Sequence, residues 1–258
     1  FVGLVSGNTN TTMTISNSLN NGDVTGNGVF IGLFIGCIYG NTNTTVTISN
    51  STINGSATGN DYIGGFVGYV WRNTNTTVTI FNSINNGSVT SGSSVGGFVG
   101  VLNLNTNTAI IISNSANNGN VTGNGSVGGL IGNIWMNVNN TMTISNTTNN
   151  GNVTGRDNVG GLLGFMAHNT NMTMTISNTT NNGTVTGSRN CIGGFVGVID
   201  DSTGINITIF SITNNGNTNG SDGVGGFVGY MNQNTNMAIT ISNFTNNANV
   251  TGSGNCAG

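Results

Sequence analysis

The sequence predicts an all-β chain wound as a β-solenoid, parallel β-helix-like in plan, and three observations lead there. One phrase recurs eight times at a near-constant step, apolar and hydroxyl residues alternate inside each repeat, and Asn- and Gly-rich punctuation separates short apolar runs. The residue before the V/I/L-Gly pair falls at Phe1, Phe34, Phe66, Phe98, Leu130, Leu162, Phe195 and Phe227, a step of 32 with two steps of 33. Residues 1–258 are therefore a single repeat array of eight coils, each with three short strands and no capping element.

The first strand of each coil carries the phrase G-G-F-V-G. Around Phe98, alternation puts Phe98, Gly100 and Leu102 on one face and Val99 and Val101 on the other, so both faces are apolar. The second face also receives Tyr69, Trp71, Trp135, Phe165 and Tyr230 in other coils. A strand apolar on both sides is ordinarily covered on both, so a neighbouring protomer or a part of the chain missing from this segment is expected against this flank, the alternative being a scattered apolar surface.

The second strand alternates cleanly. Val46 and Ile48, Val78 and Ile80, Met142 and Ile144, and Met174 and Ile176 fall on one face. Thr45, Thr47, Thr77, Thr79, Thr141, Thr143, Thr173 and Thr175 fall on the other. Extending that alternation places Asn17, Asn50, Asn82, Asn114, Asn146, Asn178 and Asn243 inward as a ladder of amides, since buried amides are tolerated only when paired. The third strand follows an N-N-G turn, where Asn86-Gly87 and Asn182-Gly183 are expected at corners with left-handed backbone.

A unit of three strands cannot bury its apolar face alone, but stacked on copies of itself at ~4.8 Å per coil it makes a rod of roughly 40 Å. Asn-Gly between strands is also a hairpin signal. An array of antiparallel hairpins is thus the alternative, and the constant period favours stacking.

Composition excludes several functions. Charged residues are 3% of the chain against about a quarter in ordinary proteins. Lys and Pro are absent and Gly numbers 44. With three cationic residues and a net charge of −3 there is no nucleic-acid-binding surface. Disorder, the usual fate of Gly- and Asn-rich tracts, is countered by the fixed spacing of Val, Ile, Phe, Leu and Met. No apolar run is long enough to span a bilayer, and any export signal or anchor is expected to lie outside this segment or to have been removed.

Catalytic and metal sites are expected to be none, and no cofactor is expected. The ionisable side chains other than Tyr and Cys are Asp23, Asp61, Asp157, Asp200, Asp201, Asp222, Arg72, Arg156, Arg189 and His168. Asp200 and Asp201 are the one carboxylate pair, the minimum for glycoside hydrolysis. Neighbours on a strand point to opposite faces, and their coil lacks the N-T-N segment, so a solvated loop variation is the better reading. His168 replaces Arg72, Leu104 and Met136 of other coils and has no ligand or nucleophile partner within its own. Cys37, Cys191 and Cys256 form neither a disulfide framework nor a zinc site, Cys191 and Cys256 lying ~10 Å apart on the rod.

N-x-S/T sequons occur at Asn10, Asn43, Asn75, Asn86, Asn120, Asn152, Asn171, Asn182 and Asn249. Corner sites are expected to be accessible and ladder sites such as Asn50 and Asn146 closed. "GGLIG" at Gly128–Gly132, "GGLLG" at Gly160–Gly164 and the "GGFVG" copies, each followed by a T-I-S-N-S/T run and an N-G-x-V-T-G turn, resemble GLUG-motif repeats. The resemblance implies an extracellular or cell-surface location and no shared catalytic residues.

At the ends, Cys256, Ala257 and Gly258 followed by Phe1, Val2 and Gly3 would complete one repeat phrase. Coils are accordingly expected to join head to tail, between copies or with further repeats of the same polypeptide. The expectation from sequence is a structural, glycosylated, extracellular repeat protein of a filament or surface layer that is not an enzyme. Its partners would be itself and glycans. The alternative is an adhesin or ice-binding rod acting through the Thr-x-Thr face, and the third reading is a β-helix carbohydrate-active enzyme centred on Asp200 and Asp201.

Overall fold

A computed structural model describes all residues 1–258. It is a parallel β-solenoid without helices, in which every strand pairs with its counterpart one coil away. One coil runs Val67–Trp71, Thr77–Phe81, Ile84–Asn85, Val89–Ser91 and Val95–Gly96, and these segments stack into four parallel sheets along the rod. The three expected strands are thus subdivided. The G-G-F-V-G run breaks between Gly96 and Val99, and the second run resumes as Ile84–Asn85 in the same sheet.

The register is the one that the repeat implies. Val78 faces Val46 and Ile110, and Ile80 faces Ile48 and Ile112, so like stacks on like along the axis. Phe34, Phe66, Phe98, Leu130, Leu162 and Phe195 form the central column, each fully buried. Ring centroids there are 5.4 Å apart for Phe34 and Phe66 and 5.1 Å for Phe66 and Phe98. Forty-nine buried residues make one continuous core, and burying each such side chain stabilises the fold by about 1.5–3 kcal/mol.

Alternation does not carry across Gly100. Val99 joins the main core with Phe98 and Leu102, whereas Val101 belongs to a separate outer cluster. The backbone of Ile63 packs where a Gly100 side chain would lie.

The asparagine ladders exist, at other positions than alternation assigns. Asn17, Asn50, Asn82, Asn114, Asn146, Asn178 and Asn243 are exposed, at φ of 47–53°. The strand ends one residue earlier in most coils and runs on through Asn178 and Asn243 in two, and in each the left-handed residue reverses the parity that the pattern was projecting. Asn is the side chain best suited to that conformation. The buried ladders are instead the first Asn of N-T-N and the first Asn of N-N-G.

In the former, Asn73 Nδ2 donates to Asn105 Oδ1, and Asn105 Nδ2 to Asn137 Oδ1, each at 3.0 Å. Backbone N–H groups converge on the same acceptors. In the latter, Asn85, Asn117, Asn149 and Asn181 hand the bond on at 2.8 Å per rung. The second glycine of G-G is explained here, because a Cβ on Gly97 would press on the Asn117 amide. At N-N-G the left-handed expectation fails. Asn86 and Gly87 keep negative φ, and Gly87 is required because a Cβ would overlap the Gly55 carbonyl.

Both 33-residue steps fall at one vertex. Thr25 pairs with Thr58 but Ile31 with Ile63, and Val153 pairs with Val185 but Val159 with Ile192. The extra residue therefore lies in the loop before the V/I-Gly strand, called here the vertex loop. Its last residue is Phe30, Tyr62, Ser94, Ser126, Asn158, Cys191 and Gly223 in successive coils.

Candidate functional site

Two surfaces of the rod are candidates. The first is the Thr face. Thr12, Thr45 and Thr77 are in register with Thr141 and Thr173, and Thr14, Thr47 and Thr79 with Thr143 and Thr175. Ala109 and Ile111 interrupt both rows in one coil. Nothing on this face is concave or charged, and the array is regular without being unbroken.

The second is the flank formed by the outer side of the first strand and the vertex loops. Two columns run along it: Cys37, Tyr69, Val101, Asn133, Phe165, Val198, Tyr230 and Tyr39, Trp71, Asn103, Trp135, Ala167, Asp200, Asn232. Where a neighbouring protomer or a missing part of the chain was expected over this apolar flank, loops of these same residues cover part of it. Phe30 and Tyr62 of the vertex loops lie on Tyr69 at centroid distances of 4.7 and 5.3 Å, and with Cys37 and Val101 they make the outer cluster. Trp71 continues the stack between Tyr39 and Tyr69, and the Arg72 guanidinium sits 4.8 Å from its ring centroid.

At the next coils the vertex residue becomes Ser94 and then Ser126. The cover thins, leaving a hollow of about 240 Å³ between Tyr62 and Tyr69 on one side and Trp135 on the other. Asn103 and Asn133 line it. Asn103 Nδ2 donates to the Tyr69 hydroxyl at 2.9 Å. Its Oδ1, the Oδ1 of Asn133 and the indole Nε1 of Trp71 are buried without a hydrogen-bond partner. Burial pushes the Tyr69 hydroxyl above the ordinary tyrosine range, with the Asn103 bond acting against it, so the ring stays neutral. Burial likewise pushes the Cys37 thiol up to about 11.

The remaining sequence-predicted residues are scattered. Asp200 accepts from Asn232 Nδ2 at 3.1 Å, whereas Asp201, at φ 38°, faces His168 Nδ1 at 2.8 Å. The partner that His168 lacks within its coil is supplied by the next one. Cys37, Cys191 and Cys256 are free thiols. Asn10, Asn43, Asn75, Asn86, Asn120, Asn152, Asn171, Asn182 and Asn249 are all exposed. Asn50 and Asn146, expected to be closed, are equally exposed, for the parity reason given above.

Phe1 stacks on Phe34 at 4.7 Å, and its amino group donates to the Leu33 carbonyl. Ala257 bridges to Val224, so Cys256–Gly258 take the phase of Gly223–Gly225 rather than the expected V-G-G; the loop before them is one residue longer, and the second Gly of that phrase is missing ahead of the F-V-G phase of Phe1–Gly3. The hollow was missed in the sequence because its residues are about one or two repeats apart. Writing the coils beneath one another exposes it as the one column set that changes from Phe and Tyr to Ser. No family model, no curated protein and no solved structure matches this chain, so its site is read from its own geometry.

Proposed function

We propose that this chain is a structural rod of an extracellular filament or surface layer, extended by further coils of the same polypeptide or of another copy. One observation carries the reading: each coil meets the next in one register, and the ladder residue recurs from coil to coil except where Ile53 and Ser202 stand in place of Asn. Asn73 stands to Asn105 as Asn105 stands to Asn137, and Phe1 stacks on Phe34 as Phe34 does on Phe66. A unit whose upper face complements its own lower face adds copies without closing.

The resemblance to GLUG repeats and the exposed sequons support a glycosylated, cell-surface setting. Exposed apolar side chains on the outermost coils, Phe1 and Leu4 at one end and Met231 and Ile241 at the other, are what an added coil would cover. In this reading the chain is not an enzyme, and Asp200 and Asp201 serve the surface. The test is negative-stain electron microscopy with light scattering across a concentration series. Rods longer than the roughly 40 Å of eight coils, growing with concentration, are expected. Monodisperse single rods at every concentration would sink the end-to-end reading.

The registered Thr rows favour a second reading, an adhesive or ice-binding face. Thermal hysteresis that is abolished by Thr47→Lys and Thr79→Lys would establish it, and absence of hysteresis in the unmodified chain removes ice binding.

A further inference from the structure

The hollow on the flank has no role in end-to-end assembly, yet it is the least repetitive place on a repetitive molecule. Its two walls are aromatic, with Tyr62 and Tyr69 toward one end of the rod and Trp135 toward the other. Tyr69 and Trp135 are two coils apart, ~10 Å at the strand spacing. Between them the vertex residues shrink to Ser94 and Ser126 and keep the hollow open.

No charged side chain lines it, so neither phosphate nor a carboxylate-bearing ligand finds a counter-ion. What the lining offers is flat apolar ring surface together with serine hydroxyls and asparagine amides. Two of its polar atoms have no partner. Asn103, only 9% exposed, uses its Nδ2 on the Tyr69 hydroxyl while its Oδ1 accepts nothing, and Asn133 Oδ1 is also orphaned. Elsewhere the buried asparagines of this fold are satisfied rung by rung. An orphaned buried acceptor is destabilising unless a ligand or water supplies the donor, and here two occur together at one concavity.

We propose that this hollow binds a neutral carbohydrate, one or two sugar rings of a glycan chain. The C–H face of a pyranose is apolar and flat and stacks on Tyr and Trp rings. Its hydroxyls are the donors that Asn103 Oδ1 and Asn133 Oδ1 lack. Concave, ring-lined sites with a few converging polar groups are the usual form of small-ligand pockets. The assignment is independent of how rods assemble. A rod with no affinity for its own kind could still carry the site, and an assembling rod could lack it.

Of the chain's two tryptophans, Trp135 lines the hollow and Trp71 lies on the same flank beside Tyr69, so intrinsic fluorescence reports the site. The experiment titrates the whole chain with cellohexaose, chitohexaose, laminarihexaose, xylohexaose and mannohexaose, and with adenosine as a flat non-sugar control, following fluorescence and calorimetric heat. Quenching and saturable heat with at least one oligosaccharide are expected.

Three variants use residues that the same columns hold in other coils, which favours folding: Ser126→Tyr, after Tyr62, fills the hollow; Asn133→Val, after Val101, removes an acceptor; Trp135→Ala, after Ala167, removes a wall. Each should weaken binding about tenfold or more, equivalent to roughly 1.4 kcal/mol, with the thermal melt retained. Silence toward all five oligosaccharides, a response to adenosine alone, or affinity unchanged in the melt-competent Ser126→Tyr and Asn133→Val variants would each overturn the proposal.

Discussion

The buried asparagine ladders and the flank are built from the same alphabet and behave in opposite ways. Along the ladder, Asn85, Asn117, Asn149 and Asn181 repeat one bond at one length. Along the flank, the columns pass from Tyr to Val to Asn to Phe and from Trp to Asn to Trp to Ala. Identity from coil to coil is favoured wherever a side chain bonds to its own copy, because each rung is donor to one neighbour and acceptor from the other, and only Ile53 and Ser202 depart from Asn in the two ladders. Nothing imposes that on a side chain facing outward from the stack, and there the chain is free to differentiate. The difference assigns cohesion to the ladders and the core, and individuality to the flank.

The contrast is sharpened most by the core. Phe98→Ala should destabilise by about 3–5 kcal/mol and lower the melting temperature by roughly 10 °C, read by circular dichroism. Trp135→Ala on the flank should shift the melt far less, and equal losses at the two sites would break the distinction. Next comes one rung. Asn117→Leu removes an acceptor from Asn85 and a donor from Asn149, both fully buried, and two orphaned groups cost about 2–4 kcal/mol. A loss under ~1 kcal/mol in denaturant titration would mean that the ladder is decoration.

A smaller effect belongs to Cys37, buried in the outer cluster. Its folded-state value is raised from 9.0 to about 11, so above pH 9 the unfolded chain gives up the proton while the folded chain retains it. Its contribution is full below pH 9 and is lost as pH rises toward 11, so stability should decline across that window. Cys37→Ala should flatten the decline. In a thiol-reagent time course the exposed Cys256 should react first and Cys37 last. The smallest effect is expected on the Thr face, where Thr79→Val should move stability by less than about 0.5 kcal/mol.

The core was readable in advance because Val78 and Ile80 sit mid-strand, where period two holds without exception. It stopped being readable at Asn82. One left-handed residue inverts the inward and outward assignments that follow it, and no count of periodicity reveals where a strand ends. The ladders were therefore anticipated as a device and misplaced as residues, the true rungs being Asn85 and Asn73, three and nine positions from the expected Asn82. For the flank, apolar character on both strand faces was visible at Phe98–Leu102. Its cover was not, since the contact between Tyr62 and Tyr69 depends on the path of a vertex loop that carries no periodic signal. The hollow needs both the register and that path.

The vertex loop has a consequence for how such a chain changes. It holds three residues between Gly59 and Ile63 but four between Gly26 and Ile31 and between Gly187 and Ile192, while the ladders on either side keep phase. A codon gained or lost anywhere else would slip a strand and turn its interior outward. At this vertex it is absorbed within a single turn of the chain. Change in length is thus channelled to the vertex loops, the same kind of loop that borders the hollow at Ser93–Ser94 and Gly125–Ser126.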